Sequence, residues 1–548
     1  RRVMMLLLSL PAYVRSFIDR VSLDGGTLDN TEGLEDIDEE ASLTMLPNAY
    51  KDGTLYSVLP ESGVGDFTAV RGSGATRVNK DGLVEDVRIL SGELVTNGDF
   101  SNGSTDWSLT RGNVINNELV FNTTGAPSGS RSVFAIQNNV ADLTKVYKVQ
   151  FTVSNYVSGQ FRLRKPFITN DTFGNGTYTY YGTAIEINFE LQGRLDIEHD
   201  FIVDNISVKE VTDATNIPRI DYTDGTASLL LEPQSTNLIT DSQTFTGSIA
   251  QVNRESNSID ILDPFGTNTA FKFTVLTSNV DAFTRITKNI SVQSFTTSVY
   301  VKGESGQKFQ LFLARDSYAE ILDIDTTLSG EWERIVLSGA FSTISSSVVV
   351  GCEFGFNSSD SVAGQEYYLT GLQLEELPYA TSYIPTSGAI ATRLADSVTG
   401  AGDATTFNST EGVLYVEMKI NGDETSAFNV SDGSTSNFIQ LYVNYDSTNL
   451  RYRVSSGGVS QFDNNIFTAI DFTINHKYAF KWSSNDFSLW VDGIEIDSQA
   501  TGSTPIGLST LNFNNIFAAG NKVNGKVKDV RTYNTALTDA ELLILTTI

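Results

Sequence analysis

The runs Tyr478-Ala479-Phe480-Lys481-Trp482 and Phe487-Ser488-Leu489-Trp490-Val491-Asp492-Gly493-Ile494-Glu495-Ile496 decide the fold class. Tyr478, Phe480 and Trp482 alternate with Ala479 and Lys481. Phe487, Leu489 and Val491 then lead into Asp492-Gly493, after which Ile494 and Ile496 resume the pattern. A period of two is that of a pleated strand with one buried face. Asp-Gly between two such runs supplies the left-handed backbone of a tight hairpin turn. The segment therefore predicts antiparallel strands joined by a hairpin.

The same period recurs upstream. Tyr147, Val149, Phe151 and Val153 alternate with Lys148, Gln150 and Thr152, and Val299 and Val301 flank Tyr300. With 44 Gly residues, and Ser, Thr and Asn abundant between these runs, everything beyond about Ser91 reads as all-β, a tandem of antiparallel β-sandwiches. A faint repeat supports the tandem: Gly92-Glu93-Leu94-Val95-Thr96-Asn97-Gly98-Asp99-Phe100 resembles Ser235-Thr236-Asn237-Leu238-Ile239-Thr240-Asp241-Ser242-Gln243-Thr244-Phe245. Each opens a block that closes on a β-rich run, Phe201 to Val208 in the first and Tyr367 to Leu374 in the second. The expected division is 1–90, a helix-containing anchor; 91–212 and 213–390, two sandwiches; and 391–548, a third of different pattern. Thr538 and Glu541 have capping-box spacing, so a short helix should start there and close the last domain.

Composition narrows the function. The chain carries 37 Lys plus Arg against 66 Asp plus Glu, a net charge of −29, which excludes a phosphate backbone as a partner in the absence of a local basic patch. One cysteine, Cys352, forms no intramolecular disulfide, and two histidines, His199 and His476, leave little for zinc or for His-based catalysis.

Near the N-terminus, Arg1-Arg2 precede the apolar run Val3 to Leu10, which is too short to span a bilayer and lacks a small-residue cleavage pattern after it. Val14, Phe17, Ile18 and Val21 follow helical spacing, Asp24-Gly25-Gly26 breaks it, and Asp29 to Glu40 reads as an acidic loop. A segment this small is expected to dock on a partner.

Three phrases carry a family resemblance. Leu46 to Pro60, with Gly65-Asp66-Phe67-Thr68 and Ala75 to Glu85, is similar to the N-terminal module of tailed-bacteriophage virion proteins of the tail or fibre kind. Pro218-Arg219-Ile220-Asp221-Tyr222 with Leu229 to Leu238, and Gln373-Leu374-Glu375-Glu376 with Tyr379 to Thr386, resemble phrases recurring in the same proteins. The tandem sandwiches resemble the jelly rolls of carbohydrate-binding modules. The last block resembles the concanavalin A-like, laminin-G-like fold through His476 to Trp482, Leu489 to Gly493 and Gly525 to Asn534.

The resemblance implies a virion structural protein, a fibre or a surface decoration exposed on capsid or tail. It implies an N-terminal segment bound to other virion proteins and sandwiches adhering to host-surface or environmental glycans. Trimers are common among fibres, although no coiled-coil heptads enforce one here. The alternatives are a secreted bacterial glycan-binding adhesin and a polysaccharide depolymerase.

For glycan modules of this kind the resemblance points to aromatic platforms. The candidates are Phe173, Tyr178, Tyr180 and Tyr181 around the loop Gly174-Asn175-Gly176; packing at a sheet edge or against a subunit is the competing reading. Trp107 is a platform or, more in keeping with its place after a first strand, core; Trp332, Trp482 and Trp490 read as core or edge filler. Such sandwiches also carry structural calcium, for which Asp99 with Asp204, and Asp241 with Glu375, are the candidates. No Asp-x-Asp-x-Asp-Gly loop accompanies them, so solvated surface carboxylates are the competing reading.

Catalysis finds little support. Glu495-Ile496-Asp497 begins like the acidic strand of a retaining glycosidase and then lacks the last Glu, while Glu375 and Glu376 are neighbours that point to opposite faces. The chain is expected to be non-enzymatic and, at its net charge, to favour neutral sugars.

Overall fold

The computed structural model describes residues 40–548 except 52–53, 170–173, 195, 244, 246, 256–260, 268–269, 291–292, 317, 423–424, 446–448 and 468. The N-terminal helix and the acidic loop expected before Glu40 lie outside the described residues.

Alternation does what it predicts. Along Val146–Ser158, Tyr147, Val149, Phe151 and Val153 are buried while their neighbours are half-buried or exposed. This strand lies in a sheet ordered Gly176–Thr183, Val146–Ser158, Asp200–Asp213, Glu118–Asn122, Gly112–Ile115. The facing sheet runs Phe161–Lys165, Phe189–Gly193, Phe134–Gln137, Ser108–Thr110. Phe151 meets Phe161 between the sheets at 6.0 Å, and Phe161 stacks on Phe201 at 4.7 Å.

The second sandwich repeats this topology strand for strand. One sheet runs Glu333–Ala340, Ser294–Gly303, Glu366–Glu375, Phe271–Val275, Val252–Glu255. Its partner runs Glu320–Thr327, Lys308–Arg315, Val348–Glu353, Phe283–Lys288, Ser248–Ala250; Glu320–Thr327 is an addition to the shared order, as Ile89–Leu90 beside Asp200–Asp213 is in the first sandwich. Even the opening phrases correspond: Val95 and Phe100 enter the first core, Ile239 and Phe245 the second, and both phenylalanines have positive φ.

The C-terminal sandwich pairs two sheets of another order. One contains, in sequence across the sheet, Arg219–Asp221, Ser228–Leu231, Gly525–Tyr533, Glu411–Ile420, His476–Ser483, Asp486–Val491 and Ile494–Gln499. The other runs Val459–Phe467, Asn449–Ser456, Phe438–Tyr445, Ser426–Ser431, Thr510–Asn512. Tyr452 against Phe480 at 4.9 Å and Phe462 against Phe487 at 4.5 Å join them. The turn at Asp492-Gly493 has φ of 49° and 80°, as the hairpin reading requires. Thr538 caps the helix Asp539–Thr546 in a full capping box, and Leu542 of that helix packs with Trp490, Tyr415 and Ala41 on the outside of the larger sheet.

The division along the chain departs from the expected one. Strand Gly525–Tyr533 pairs with Glu411–Ile420 on one edge; its other edge is covered by Ala41–Met45 along Val530 to Tyr533 and by Ser228–Leu231 along Gly525 to Val527. The compact units are accordingly 1–82 with 215–235 and 393–548, and 83–214 with 236–392. The described residues of the expected anchor up to Gly82, and the first part of the expected 213–390 sandwich, complete the C-terminal sandwich instead. The reason is physical: Leu43, Met45, Leu55 and Val58 are fully buried there, and an uncovered strand edge would leave a row of unpaired backbone groups.

A buried ionic joint holds these segments. Asp396 accepts from Arg71 Nη1 at 2.8 Å, from Arg219 Nη2 and from the Glu232 amide at 3.0 Å. Glu232 in turn pairs with Arg219 at 2.7 Å and lies 3.4 Å from Arg393. All three arginines are at most 2% exposed.

Candidate functional site

The tyrosines singled out in the first sandwich do not form one platform. On Gly176–Thr183, Tyr178 and Tyr180 turn toward the core. Tyr178 lies 5.7 Å from Phe151 and donates its hydroxyl to the Gly174 carbonyl at 3.0 Å, and Tyr180 lies 6.1 Å from the same ring. Tyr181 occupies the opposite face beneath the Arg88 guanidinium, 4.2 Å away. Burial raises the phenols of both Tyr178 and Tyr181. Phe173 lies outside the described residues. Trp107 is core, its indole N–H donated to the Asn97 carbonyl, and Trp482 and Trp490 are buried as well.

The carboxylates named for calcium are occupied by protein donors. Asp99 accepts from the amide and hydroxyl of Ser101, bonds that lower its pKa. Asp204 accepts from Asn205, and its pKa is raised by burial and then by the nearby Glu118 and Asp99 charges. Asp241 accepts from the Gly388 amide. Glu375, fully buried, takes Gln373 Nε2 at 2.7 Å and the Thr381 amide at 3.0 Å and hydroxyl at 2.5 Å, which closes the loop after its strand. Calcium draws on about six to eight oxygens. Among the described residues no group of three metal-ligating side chains gathers, so neither pair fits a calcium cage.

His199 and His476 are structural: His199 Nε2 contacts the Arg194 carbonyl, and His476 lies between Asp492 and the Asp471 carbonyl. Asp497 receives hydrogen bonds from Tyr452 Oη and Asn464 Nδ2, both at 2.8 Å, while Glu495 is exposed.

The most chemically varied surface lies on the outer face of the smaller C-terminal sheet. Ile439, Leu441, Leu450, Tyr452 and Val454 are core, so the alternate positions point outward and the register aligns them in rows. One row is Asn429, Gln440, Arg453, Asp463; the next is Ala427, Tyr442, Arg451, Asn465.

Arg451 grips Asp463 through Nε and Nη2 at 2.7 and 2.8 Å, and Arg453 pairs with the same carboxylate at 3.1 Å. Burial pushes the Asp463 carboxyl up, but the Arg451 hydrogen bonds and the two guanidinium charges outweigh it and hold the pKa below the usual value. Arg451 also lies over the Tyr445 ring at 4.5 Å, and Arg453 over Phe517 at 4.3 Å. Asn514–Asn515 crosses the end of the rows: Asn429 Nδ2 donates to the Asn514 carbonyl and side chain, and Tyr442 Oη bonds Asn515 Oδ1.

Asn429, Gln440 and Tyr442 are buried and hydrogen-bonded to Asn514 and Asn515, so what this face presents to solvent is the guanidinium-clamped Asp463, the exposed Asn465 and the half-buried Arg451, Arg453 and Tyr445. Asp463, Asn465 and the guanidinium edges can exchange hydrogen bonds with a polyhydroxylated ligand beside the half-buried Tyr445 ring. The Asp463 carboxylate is held ionised, the reverse of what a glycosidase acid requires. Sequence reading missed this face, although the signal was present in Gln440/Tyr442 and Arg451/Arg453: polar residues at alternate positions of otherwise apolar strands.

Two packed antiparallel sheets with this topology define a concanavalin A-like sandwich. Residues 399–543 match the laminin G family model described as the concanavalin A-like lectin/glucanases superfamily. No curated protein matches the chain.

Among solved structures, the chain is similar to the Ruminococcus gnavus IT-sialidase CBM40 bound to alpha2,3 sialyllactose (17% identity, 26% of this chain and 86% of that one, TM-score 0.24). It is also similar to domain 4 of the Geobacillus stearothermophilus arabinanase AbnA in complex with arabinotriose (17% identity, 31% and 81%, TM-score 0.25). A third is the CBM22-1-CBM22-2 tandem domain of Paenibacillus barcinonensis Xyn10C (14% identity, 52% and 97%, TM-score 0.19). At such identities and TM-scores, what those proteins bind does not transfer to this chain.

Proposed function

We propose that this is a non-catalytic carbohydrate-binding protein of a bacteriophage particle, with the outer face of Ser426–Ser431, Phe438–Tyr445, Asn449–Ser456 and Val459–Phe467 as its principal glycan surface. The observation that carries the reading is the exposed edge of the cross-strand rows, where Asp463 and Asn465 stand beside Arg451, Arg453 and the half-buried Tyr445 ring. A net charge of −29 favours neutral over acidic sugars here. The particle assignment rests on the three phrases spanning 46–85, 218–238 and 373–386. Many copies on one particle make weak sites effective through avidity.

Two measurements test this. Mass spectrometry of purified particles should find the chain as a multicopy component; its absence removes the particle assignment. A glycan array probed with the full chain should give neutral-glycan signals that Arg451→Ala and Tyr445→Ala abolish. A blank array, or signals indifferent to both substitutions, removes the glycan surface.

A further inference from the structure

A basic face lies on the first sandwich of a chain that carries −29 overall. The sheet Phe161–Lys165, Phe189–Gly193, Phe134–Gln137, Ser108–Thr110 turns Phe161, Leu163, Phe189, Leu191 and Ala135 into the core, so the alternate positions point outward. The register aligns them in two rows. One is Arg162, Gln192, Phe134, Thr110; the other is Lys165, Glu190, Ile136, Ser108, with Arg164 on the bulge beside Lys165.

The cations of this face outnumber their partners. Arg164 Nη1 and Lys165 Nζ lie 2.8 and 3.4 Å from the buried Glu190, the one carboxylate in the rows. Arg162 pairs with no carboxylate among the described residues: its Nη2 reaches the neutral Gln192 Oε1 at 3.4 Å, and its Nε is buried without an acceptor. Arg111, which follows Thr110, donates to the Ser132 carbonyl at 2.7 Å and to the Ser132 hydroxyl at 3.2 Å, both neutral groups. The adjoining Arg131 is matched by Glu198 at 3.0 Å and adds nothing to the excess. Between the cations stand the Gln192 amide, the half-buried Phe134 and Ile136, and the exposed hydroxyls of Ser108 and Thr110.

We propose that this face binds an anionic saccharide, with the Arg162 and Arg164 guanidinium groups taking its carboxylate or sulfate groups and Gln192 and Phe134 meeting the sugar ring beside them. A guanidinium presents paired N–H donors that match the oxygens of such a group, which an ammonium does not. Arg162 and Thr110 are three strand spacings apart, so the row spans about 14 Å, which suits a short oligosaccharide and exceeds a single inorganic ion. A nucleic acid fits poorly, because the field of the whole chain repels a polyphosphate. This face lies on another sandwich from the glycan surface proposed above and does not depend on it.

The test is calorimetric titration of the full chain with two anionic tetrasaccharides, tetragalacturonate and a κ-carrageenan tetrasaccharide. Each is compared with its uncharged counterpart, the methyl ester and the desulfated sugar. The carboxylate or the sulfate form should bind about tenfold more tightly than its counterpart, and the form that does so identifies the group recognised. Arg162→Gln and Arg164→Gln should each weaken that binding severalfold. Arg164 is exposed, so its variant keeps the test valid if Arg162→Gln unfolds. Lys145→Gln, which removes an exposed cation from the facing sheet, should leave binding intact and so separates this face from a general effect of charge. Binding of neither anionic form, binding equal to that of the uncharged sugars, indifference to both arginine substitutions, or tighter binding of tetraglutamate would overturn the proposal.

Discussion

Replacing Asp396 by Asn changes almost no volume and removes one negative charge from the buried joint. Arg71, Arg219 and Arg393 are then left with Glu232 as the remaining carboxylate among the ion pairs described. The substituted amide retains one acceptor oxygen where the carboxylate had two, and it turns an N–H₂ group toward guanidinium donors. Removing one partner of a buried ion pair costs about 3 to 5 kcal/mol, chiefly because the opposing charge stays buried. At about 2 to 4 °C per kcal/mol for a unit of this size, the midpoint of the C-terminal unit should fall by roughly 6 to 20 °C. Scanning calorimetry reads this directly.

Asp463→Asn is the control. It removes an ion-paired carboxylate one third exposed to solvent, where surface pairs contribute about 0 to 1 kcal/mol.

A pH series adds a second axis. Burial pushes the Asp396 carboxyl up, but Arg219, Arg71 and Arg393 outweigh it and hold its pKa below the ordinary 3.8. A depressed carboxylate contributes stability that is present above its unfolded pKa and lost as pH falls through the folded one. The wild-type unit should therefore lose stability below about pH 4 by a component that Asp396→Asn lacks. Equal midpoint shifts for Asp396→Asn and Asp463→Asn, or identical acid limbs for wild type and Asp396→Asn, would refute the joint as a stabilising device.

Two further outcomes follow. A fragment of 399–543 alone should aggregate or unfold well below the full chain, because it exposes the edge of Gly525–Tyr533 and lacks the whole of the ionic joint, Asp396 with Arg71 and Arg219; a soluble monomer with the full chain's midpoint would contradict this. Cys352 is 1% exposed and burial raises its thiol pKa, so it should resist alkylation in the native state at pH 8 and react fully in denaturant; native labelling on the timescale of free thiol would count against the second core as described.

What could be read from the sequence was what local periodicity encodes. Tyr478 to Ile496 gave its hairpin, Thr538 and Glu541 their cap, and the Val95/Phe100 and Ile239/Phe245 phrases their matching places in two sandwiches of one topology. The union of 41–82 and 215–235 with the last sandwich was not legible, because a strand's hydrophobic alternation states which face is buried and not which distant edge it joins.

The glycan face was hidden for a related reason: Asn429, Gln440, Arg453 and Asp463 become neighbours only once four strands are in register. The phrases that prompted a family resemblance hold buried polar nodes. Arg219 and Glu232 belong to the ionic joint, Asn237 Nδ2 donates to the carbonyls of Leu372 and Ile384, and the Tyr383 hydroxyl meets Ser242. Tyr178 shows the limit of composition: a tyrosine beside a glycine loop reads as exposed, yet its strand parity sends it inward.

The Ser42 hydroxyl bonds the carbonyl and the hydroxyl of Thr532 across a separation of 490 residues, and this sets an order of events during synthesis. At about 5 to 20 residues per second, strand Ala41–Met45 waits roughly half a minute to a minute and a half for its partner to be made. In that interval the two jelly rolls have all their strands. Each also brings its own ends together, the first through Leu90 beside Val211 and the second through the Thr236 and Thr392 hydroxyls at 2.7 Å. Two long loops are thereby shortened to two near-closed junctions before the last strand arrives, which lowers the chain entropy that its docking must overcome. The inserted sandwiches thus act as folding aids for the domain that they interrupt.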